Sequence, residues 1–257
     1  LSRAYLYIGD NKNALSTAIE CIQGAETAGY KLVSNSDYAA SWKGRFSPET
    51  LFELVNSSTD YPGNDGIAYL YWDKGYDDII LTQSFYDLLA SDKNDVRLSL
   101  TTKGTKKPSS KKYNCYLLKY ANDETSTTYS NIVLYRLSEA YLNAAEAAVK
   151  TNDNSSAVKY LNPIVNRANP AKKVSGNITI SQVLTERRKE LCGEGHRMFD
   201  LLRNGLTIKR TGSSHSKVLP DYAKEIDINN YRIVLPVPKY EVDANPNIKE
   251  QQNPGWN

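Results

Sequence analysis

Cysteine, histidine and long apolar stretches are scarce in this sequence. Its 257 residues include 3 Cys and 2 His, and no run approaches the roughly 20 apolar residues of a membrane-spanning helix. Cys21, Cys115 and Cys192 are isolated and form no CxxC pair, so we expect neither a zinc site nor a disulfide framework. All three are interpreted as small packed hydrophobes.

Net charge is also small, since 32 Lys+Arg against 29 Asp+Glu leave +3. That balance is too weak to indicate a nucleic-acid partner. A basic run within residues 101–112 is interpreted as a solvated loop; its lysines are Lys103, Lys106, Lys107, Lys111 and Lys112. The phosphate-binding and serine-hydrolase motifs G-x-x-x-x-G-K-[ST], G-x-G-x-x-G and G-x-S-x-G do not occur.

Tyrosine, in contrast, is abundant, with 19 Tyr against 4 Phe. A tyrosine ring is apolar but carries a polar hydroxyl, so it suits exposed recognition surfaces. The chain opens with LSRAYLYIGD, which has no initiator Met, charged leader or apolar leader. We interpret it as a fragment or a processed chain.

Two stretches have the apolar periodicity of helical hairpins. In the first, residues 1–9 and 12–28 are predicted helices around the Gly9-Asp10 break, with the small residues Ala4, Ala14 and Ala18 at the contact. The same pattern returns over residues 131–168, where Pro163 predicts a kink or an early restart. The pattern is typical of tetratricopeptide-like units.

The segment between the hairpins, residues 29–130, is predicted to be a loop-rich insertion. It contains a strand candidate within 46–55, a helix over 82–91 capped by Thr82 or Ser84, and a short strand at 117–120. Beyond the second hairpin, residues 180–204 are predicted to form two helices that Gly193 and Gly195 divide, with Ser181 as cap. Residues 233–238 are expected to be extended because of their prolines.

Two blocks near the C-terminal end carry a family resemblance. Glu186 to Arg203 reads ERRKELCGEGHRMFDLLR, and Leu235 to Trp256 reads LPVPKYEVDANPNIKEQQNPGW. They resemble the ERR-x-EL…EG-x-R-x-x-DL-x-R block and the closing LPIP…NP…QNPGY of the SusD/RagB-like outer-membrane nutrient-binding lipoproteins of Bacteroidetes. The helix at Ala4–Leu15 and Asp95-Val96-Arg97 add to the resemblance. Family members are usually longer, so residues 1–257 are interpreted as a single SusD/RagB-like domain lacking the N-terminal part.

The resemblance implies a mostly α fold of tetratricopeptide-like helical hairpins, with long irregular loops and a few short strands. It implies binding rather than catalysis, and no cofactor. The implied ligand is an oligosaccharide or polysaccharide, delivered to a SusC-like TonB-dependent transporter at the cell outer membrane. The surface-exposed protein would contact the membrane only through a lipid anchor absent from this chain.

The charged block is interpreted as structural, although a row of carboxylates can also bind metal or act as acid and base. Interleaved cations favour ion pairs at i, i+3 and i, i+4, and they lower carboxylate pKa values. Its members are Glu186, Arg187, Glu190, Glu194, Arg197, Asp200 and Arg203. His196 is predicted to be a surface or pairing residue, and His215 lies in a serine-rich loop without partner spacing.

An aromatic segment within the insertion is the candidate ligand site. Flat sugar faces suit aromatic platforms, and neighbouring polar groups can hydrogen-bond the hydroxyl rims. The candidate residues are Tyr61, Asn64, Asp65, Tyr69, Tyr71, Trp72 and Tyr76. If residues 69–72 were extended, Tyr69 and Tyr71 would share a face. The alternative is that these rings pack the loop onto the helices, as we expect for Trp42 and Trp256.

Three functions remain open from the residues: glycan or peptide capture, a helical scaffold for protein partners, and a helical carbohydrate-active enzyme. Exposed, coplanar rings at 69–76 would favour a glycan ligand, whereas buried rings would favour a scaffold. A pair of carboxyl groups about 5–10 Å apart in a cleft would favour the enzyme.

Overall fold

The computed structural model describes residues 1–44, 46–57, 59–71, 75–76, 79–104, 114–120, 130–210 and 219–256. The chain divides into two compact units, Leu1–Arg197 and Met198–Asn257, which are described separately. Helices dominate, and the strands are short and paired two by two, which confirms the mostly helical fold. The assignment of residues 1–257 to one domain, with 29–130 as an insertion, stays a prediction.

Eight helices and four strands lie within the first unit among the residues described. The helices are α1 (Ser2–Tyr7), α2 (Asn11–Thr27), α3 (Tyr38–Ser41), α4 (Ile67–Tyr71), α5 (Gln83–Ala90), α6 (Leu137–Lys150), α7 (Asn154–Ala168) and α8 (Ile180–Glu190). The strands are β1 (Thr50–Leu54), β2 (Thr101–Gly104), β3 (Asn114–Leu117) and β4 (Ile132–Arg136). Strand β1 pairs antiparallel with β4, and β2 pairs antiparallel with β3.

Both predicted hairpins form, and their turns share one design. Gly9 has a φ of 81°, and Asp10 then caps α2 by accepting a hydrogen bond from the Asn13 backbone N–H at 3.1 Å. In the second hairpin Asn152 has a φ of 59°, and the Asp153 carboxylate caps α7. A left-handed residue reverses the chain, and the following aspartate satisfies the free N–H groups of the next helix.

The core lies where α6 packs between α2, α7 and α8. Alanines form much of the contact face of α6, and Ala144, Ala145 and Ala148 are completely buried. They lie in one cluster with larger side chains such as Ile22 of α2 and Leu161 of α7. Small residues on the central helix let its neighbours approach closely, and the larger residues fill the remaining space.

Helix α7 runs without a break through Pro163, so the predicted restart is wrong. Proline removes one backbone hydrogen bond and costs about 3 kcal/mol inside a helix. Here Leu161 and Ile164 flank it and are fully buried. Burial of such side chains on both sides of the proline offsets that cost, which periodicity alone does not reveal.

Helix α8 starts one residue earlier than its predicted cap. Thr179, rather than Ser181, is the N-cap, and its side chain and that of Gln182 form a reciprocal capping box. Gly193 and Gly195 have φ values near 80° and end this helical stretch as predicted. Helix α9 (Arg197–Leu202) follows. The predicted cap of α5 is confirmed, since the Thr82 hydroxyl accepts from the Phe85 backbone N–H.

The second unit contains short elements and a side-chain-bonded tail. Its elements beyond α9 are β5 (Ile208–Lys209), α10 (Asp221–Lys224), β6 (Glu225–Ile226) and α11 (Lys239–Ala244). The Gln252 amide accepts from the Val237 N–H at 2.8 Å and donates to the Val237 carbonyl at 3.1 Å. Trp256 packs edge-on against Tyr231, as expected, and donates to the Val234 carbonyl. The QNPGW ending therefore holds the extended proline segment through side-chain hydrogen bonds.

Across the part of the chain that the structure describes, every helix is too short or too polar to cross a lipid bilayer.

We expect Ala144→Leu to lower the free energy of unfolding by about 1–3 kcal/mol, because the larger side chain overpacks the contact face of α6. Urea denaturation measures the change. Ala4→Leu is the matched control. Ala4 is exposed on α1, which corrects its predicted place at the hairpin contact, and it should tolerate the same substitution. Equal stability of the two variants would contradict the close approach at α6.

Candidate functional site

The aromatic segment is defined as residues 61–76, and its described residues include a 3-10 turn followed by a short helix. Gly63–Asp65 form the turn, and α4 covers Ile67–Tyr71. The condition under which Tyr69 and Tyr71 would share a face, an extended backbone, is therefore not met, because both lie in α4. Side chains two residues apart on a helix point in nearly opposite directions, so the rings of Tyr69 and Tyr71 do not share a face. Trp72 lies outside the described residues.

Tyr71 points inward. Its ring lies 5.7 Å from the ring of Tyr120, between centroids, and packs with a buried cluster that includes Ala68 and Leu117. Burial raises the pKa of its hydroxyl to about 12. The backbone of Gly193 packs directly against this cluster, because a Cβ at that position would lie 2.3 Å from the Leu117 side chain. Tyr71 is thus part of the packing that attaches the segment.

Tyr69 and Tyr76 form a second aromatic pair. Their rings meet edge to face, with centroids 5.0 Å apart and planes at 88°. The Tyr76 N–H donates to the Tyr69 carbonyl at 3.1 Å. Between them Gly75 fits only as glycine, since a Cβ would lie 2.2 Å from the Tyr69 carbonyl oxygen. The tight turn leaves Tyr76 50% exposed while fixing its position.

The remaining predicted residues are exposed along the start of the segment. Tyr61 is 40% exposed, and Asn64 and Asp65 are exposed in the 3-10 turn. The structure therefore gives Tyr61 and Tyr76 accessible ring surface, half-buries Tyr69, and turns Tyr71 inward. The exposed aromatic and polar groups belong to one continuous stretch of chain.

Beneath this segment lies a buried set of charges, here named the ionic cluster. At its centre is Glu190, which is fully buried and pairs at 2.6 Å with both Arg136 and Arg167. Arg97 lies 3.5 Å from the same carboxylate. Further members are Glu49, Asp95, Lys119, Glu186 and Glu194.

Glu194 links the ionic cluster to the aromatic packing. Its carboxylate pairs with Lys119 and with Arg136, each at 2.6 Å. The Lys119 ammonium lies 4.5 Å from the centre of the Trp42 ring, and the neighbouring Tyr120 hydroxyl donates to the Gly193 carbonyl at 3.0 Å. Tyr120 in turn contacts Tyr71. The chain of contacts therefore runs from Glu194 to the helix that carries Tyr69.

The protonation of these carboxylates is set by competing effects. Burial alone would raise the pKa of Glu190, but the guanidinium groups of Arg167, Arg136 and Arg97 hold it well below its ordinary range. Burial opposes ionisation of Glu194 as well, and Arg136 and Lys119 lower its pKa. Both carboxylates stay ionised at neutral pH. They lack the raised pKa of a general acid.

The partners of the charged block differ from the local pairs that the sequence suggested. Local i, i+3 pairs join Glu186 to Lys189 and Asp200 to Arg203. The partners of Glu190 and Glu194 instead come from distant parts of the chain, with Arg167 nearest in sequence to Glu190 and Arg136 54 positions from it. Such long-range partners are invisible to a spacing argument.

Two further members of the block have different environments. Arg187 is buried and donates to the Asn143 side chain at 2.7 Å, beside Glu146. Arg197 is exposed at the start of α9.

His196 is buried, which corrects the expectation of a surface residue. Desolvation lowers its pKa, although Glu139 and Glu194 oppose the shift. His215 lies outside the described residues, as do the lysines at 106, 107, 111 and 112. Within the described ranges, no group of three or more His, Cys, Asp or Glu side chains is placed to hold a metal ion. Cys21, Cys115 and Cys192 form no disulfide bond within the described part of the chain.

A small cavity opens beside Trp42. Its volume is about 30 Å³, enough for a water molecule, and its polar lining includes Lys119, Arg136, Glu49 and Asn131. The sequence interpretation did not select Lys119, Arg136 or Glu49. Lys119 and Arg136 are each a charged residue inside an otherwise apolar stretch, and that is their only signal in the sequence.

Comparison with known proteins gives a consistent set of relatives. The family model described as SusD family matches residues 89–256. A candidate sugar-binding protein of Bacteroides vulgatus is 48% identical, with a TM-score of 0.89 over 100% of this chain and 58% of that one. A SusD superfamily protein of the same organism is 39% identical, with a TM-score of 0.90 over the same shares.

Among curated proteins, the starch-binding protein SusD of Bacteroides thetaiotaomicron is 30% identical over 131 residues. That match covers 49% of this chain and 22% of SusD. The chain thus spans 58% of the length of the similar solved proteins, and its matched part is about a fifth of SusD.

We expect Glu190→Gln to destabilise the protein by about 3–5 kcal/mol, because it leaves Arg136 and Arg167 buried without their counter-charge. A depressed carboxylate pKa stabilises the fold above the unfolded-state pKa, and that contribution is lost as the pH falls through the folded-state value. The wild type should therefore lose stability below about pH 4.3, the ordinary glutamate pKa, more steeply than the variant.

Chemical denaturation as a function of pH measures both effects. Glu20→Gln on the exposed surface of α2 is the control and should leave the pH profile unchanged. A Glu190→Gln profile parallel to that of the wild type would show that Glu190 does not carry the dependence.

Proposed function

Because this chain belongs to the SusD family, we propose that it binds an oligosaccharide and releases it chemically unchanged. The proposed contact surface is the aromatic segment, with Tyr61, Tyr69 and Tyr76 as ring contacts and Asn64 and Asp65 as hydrogen-bonding groups. The name of the curated relative, a starch-binding protein, supports a carbohydrate ligand. Tyr71 serves to fix the segment, and Trp72 is retained as a candidate on sequence grounds alone.

The observation that carries this proposal is the locked pair of Tyr69 and Tyr76. Sugar recognition benefits from a ring that is exposed yet immobile, since little conformational entropy is then lost on binding. The edge-to-face contact at 5.0 Å and the steric requirement at Gly75 restrict Tyr76, while half of its surface stays accessible. A ring needed only for packing would be expected to bury more of its surface.

We further propose that the protein is not an enzyme. Glycoside hydrolysis needs one carboxylic acid with a raised pKa beside a carboxylate. The carboxylates Glu190 and Glu194 have lowered pKa values and are paired with buried cations. Their environment therefore supports binding without catalysis.

We base a proposal for the cellular role on membership of the SusD family. We infer that the complete protein is surface-exposed at the outer membrane and lipid-anchored, and that it delivers its ligand to a SusC-like TonB-dependent transporter. The alternative functions are capture of a peptide and a helical scaffold for protein partners. Neither of them requires the exposed tyrosines to contact a sugar. A binding assay that presents oligosaccharides and peptides side by side separates these functions.

We expect Tyr76→Ala to weaken oligosaccharide binding by about fivefold or more, because it removes roughly 1 kcal/mol of ring contact. A glycan array identifies the oligosaccharide, and calorimetry then measures its affinity. The melting temperature should barely change, since Tyr76 is half exposed. In contrast, Tyr71→Ala should lower the free energy of unfolding by about 2 kcal/mol or more.

Tyr30→Ala is the matched control, because Tyr30 is also exposed but lies after α2, outside the aromatic segment. It should keep wild-type affinity. The proposal fails if no oligosaccharide is retained by the wild type, or if Tyr76→Ala binds as the wild type does.

A further inference from the structure

A separate cleft lies on the first unit, and none of its lining residues belongs to the aromatic segment. It has a volume of about 330 Å³ and runs between residues 92–97, α7, residues 172–174 and α8. That volume is within the range of about 300–1,000 Å³ typical of small-molecule sites. All of its lining residues belong to the described part of the chain.

Part of the cleft lining is aliphatic. Leu161 and Ala168 of α7 are buried, and Val165 and Val174 are half-buried beside them. These side chains offer an apolar surface for the C–H face of a compact ring. Around them the hydroxyl groups of Ser181 and Thr185 on α8 line the same cleft.

Each carboxylate of the cleft already has a cation. Asp92 pairs with Lys172 at 2.7 Å, and these contacts, with Asn169, lower its pKa to about 2. Asp95 pairs with Arg97 at 2.6 Å.

The third carboxylate is equally engaged. Glu186 lies 3.0 Å from Arg97 and 3.3 Å from Lys189. The cleft therefore has no carboxylate left over to attract a cationic ligand.

One cation remains in excess. The lining contains four cationic side chains and three carboxylates, which gives a net charge of +1. Lys173 is exposed at the cleft and has no ion-pair partner among the described residues. An ammonium group with three free donors complements a single carboxylate.

We propose that this cleft binds a sugar unit that carries one carboxylate, such as a uronic acid within an oligosaccharide. The ring lies against Val165 and Val174, the carboxylate pairs with Lys173, and Ser181 and Thr185 bond ring hydroxyls. This inference rests on the proposed function, which it deepens by naming an acidic class of glycan. The cleft then selects ligand charge, while the aromatic segment contacts neutral ring faces.

The test compares trigalacturonic acid with its methyl ester, which keeps the rings and removes the charges. We expect the wild type to prefer the acid by about fivefold, in keeping with one partly exposed ion pair. The preference should shrink as the salt concentration rises. Lys173→Gln should abolish it, whereas Lys12→Gln, at an exposed lysine of α2, should retain it.

A second variant tests the cavity itself. Thr185→Trp fills the cleft from α8, and it should reduce binding of the acid at an unchanged melting temperature. Equal affinity of the wild type for acid and ester, or unchanged acid binding by either cleft variant, overturns this inference alone. Failure of the proposed function gives a different result from failure of this inference, because the wild type would then retain no oligosaccharide of any charge.

Discussion

The buried carboxylate of Glu190 is the constraint on which the first unit depends. A charge without access to water is unfavourable unless cations and hydrogen bonds replace its hydration. Arg136 and Arg167 each approach it to 2.6 Å, and Arg97 lies nearby. These arginines come from the end of β4, from α7 and from the segment after α5. The position of one side chain on α8 thus fixes three other parts of the chain.

The candidate ligand site derives its position from the same cluster. Glu194 orients Lys119, the adjacent Tyr120 contacts Tyr71, and Tyr71 belongs to the helix that carries Tyr69. Among its described residues, the aromatic segment has only one 3-10 turn and the five-residue helix α4. Its geometry is therefore supplied by packing against a charged interior rather than by regular backbone hydrogen bonds.

Sequence reasoning predicted the hairpins well and the aromatic segment only in part. Apolar residues that recur every three or four positions identify α2, α6 and α7, because each helix buries one face over many turns. Helix α4 has five residues, too few to show such a period, so the sequence did not reveal that residues 69–71 are helical. The charged block was correctly interpreted as ion-paired, but Arg136 and Lys119 were missed. Their partners are distant in sequence, and only the folded chain brings them together.

The ionic cluster has a further consequence for how the first unit assembles. A partly built cluster would hold uncompensated charge in a dry interior, which is worse than either the complete cluster or a hydrated, open chain. Intermediate arrangements in which α8 has docked without β4 are therefore disfavoured. We expect the hairpins, the β1–β4 pair and the segment after α5 to assemble in one cooperative folding step. Docking of α8 would then be required for that two-state transition.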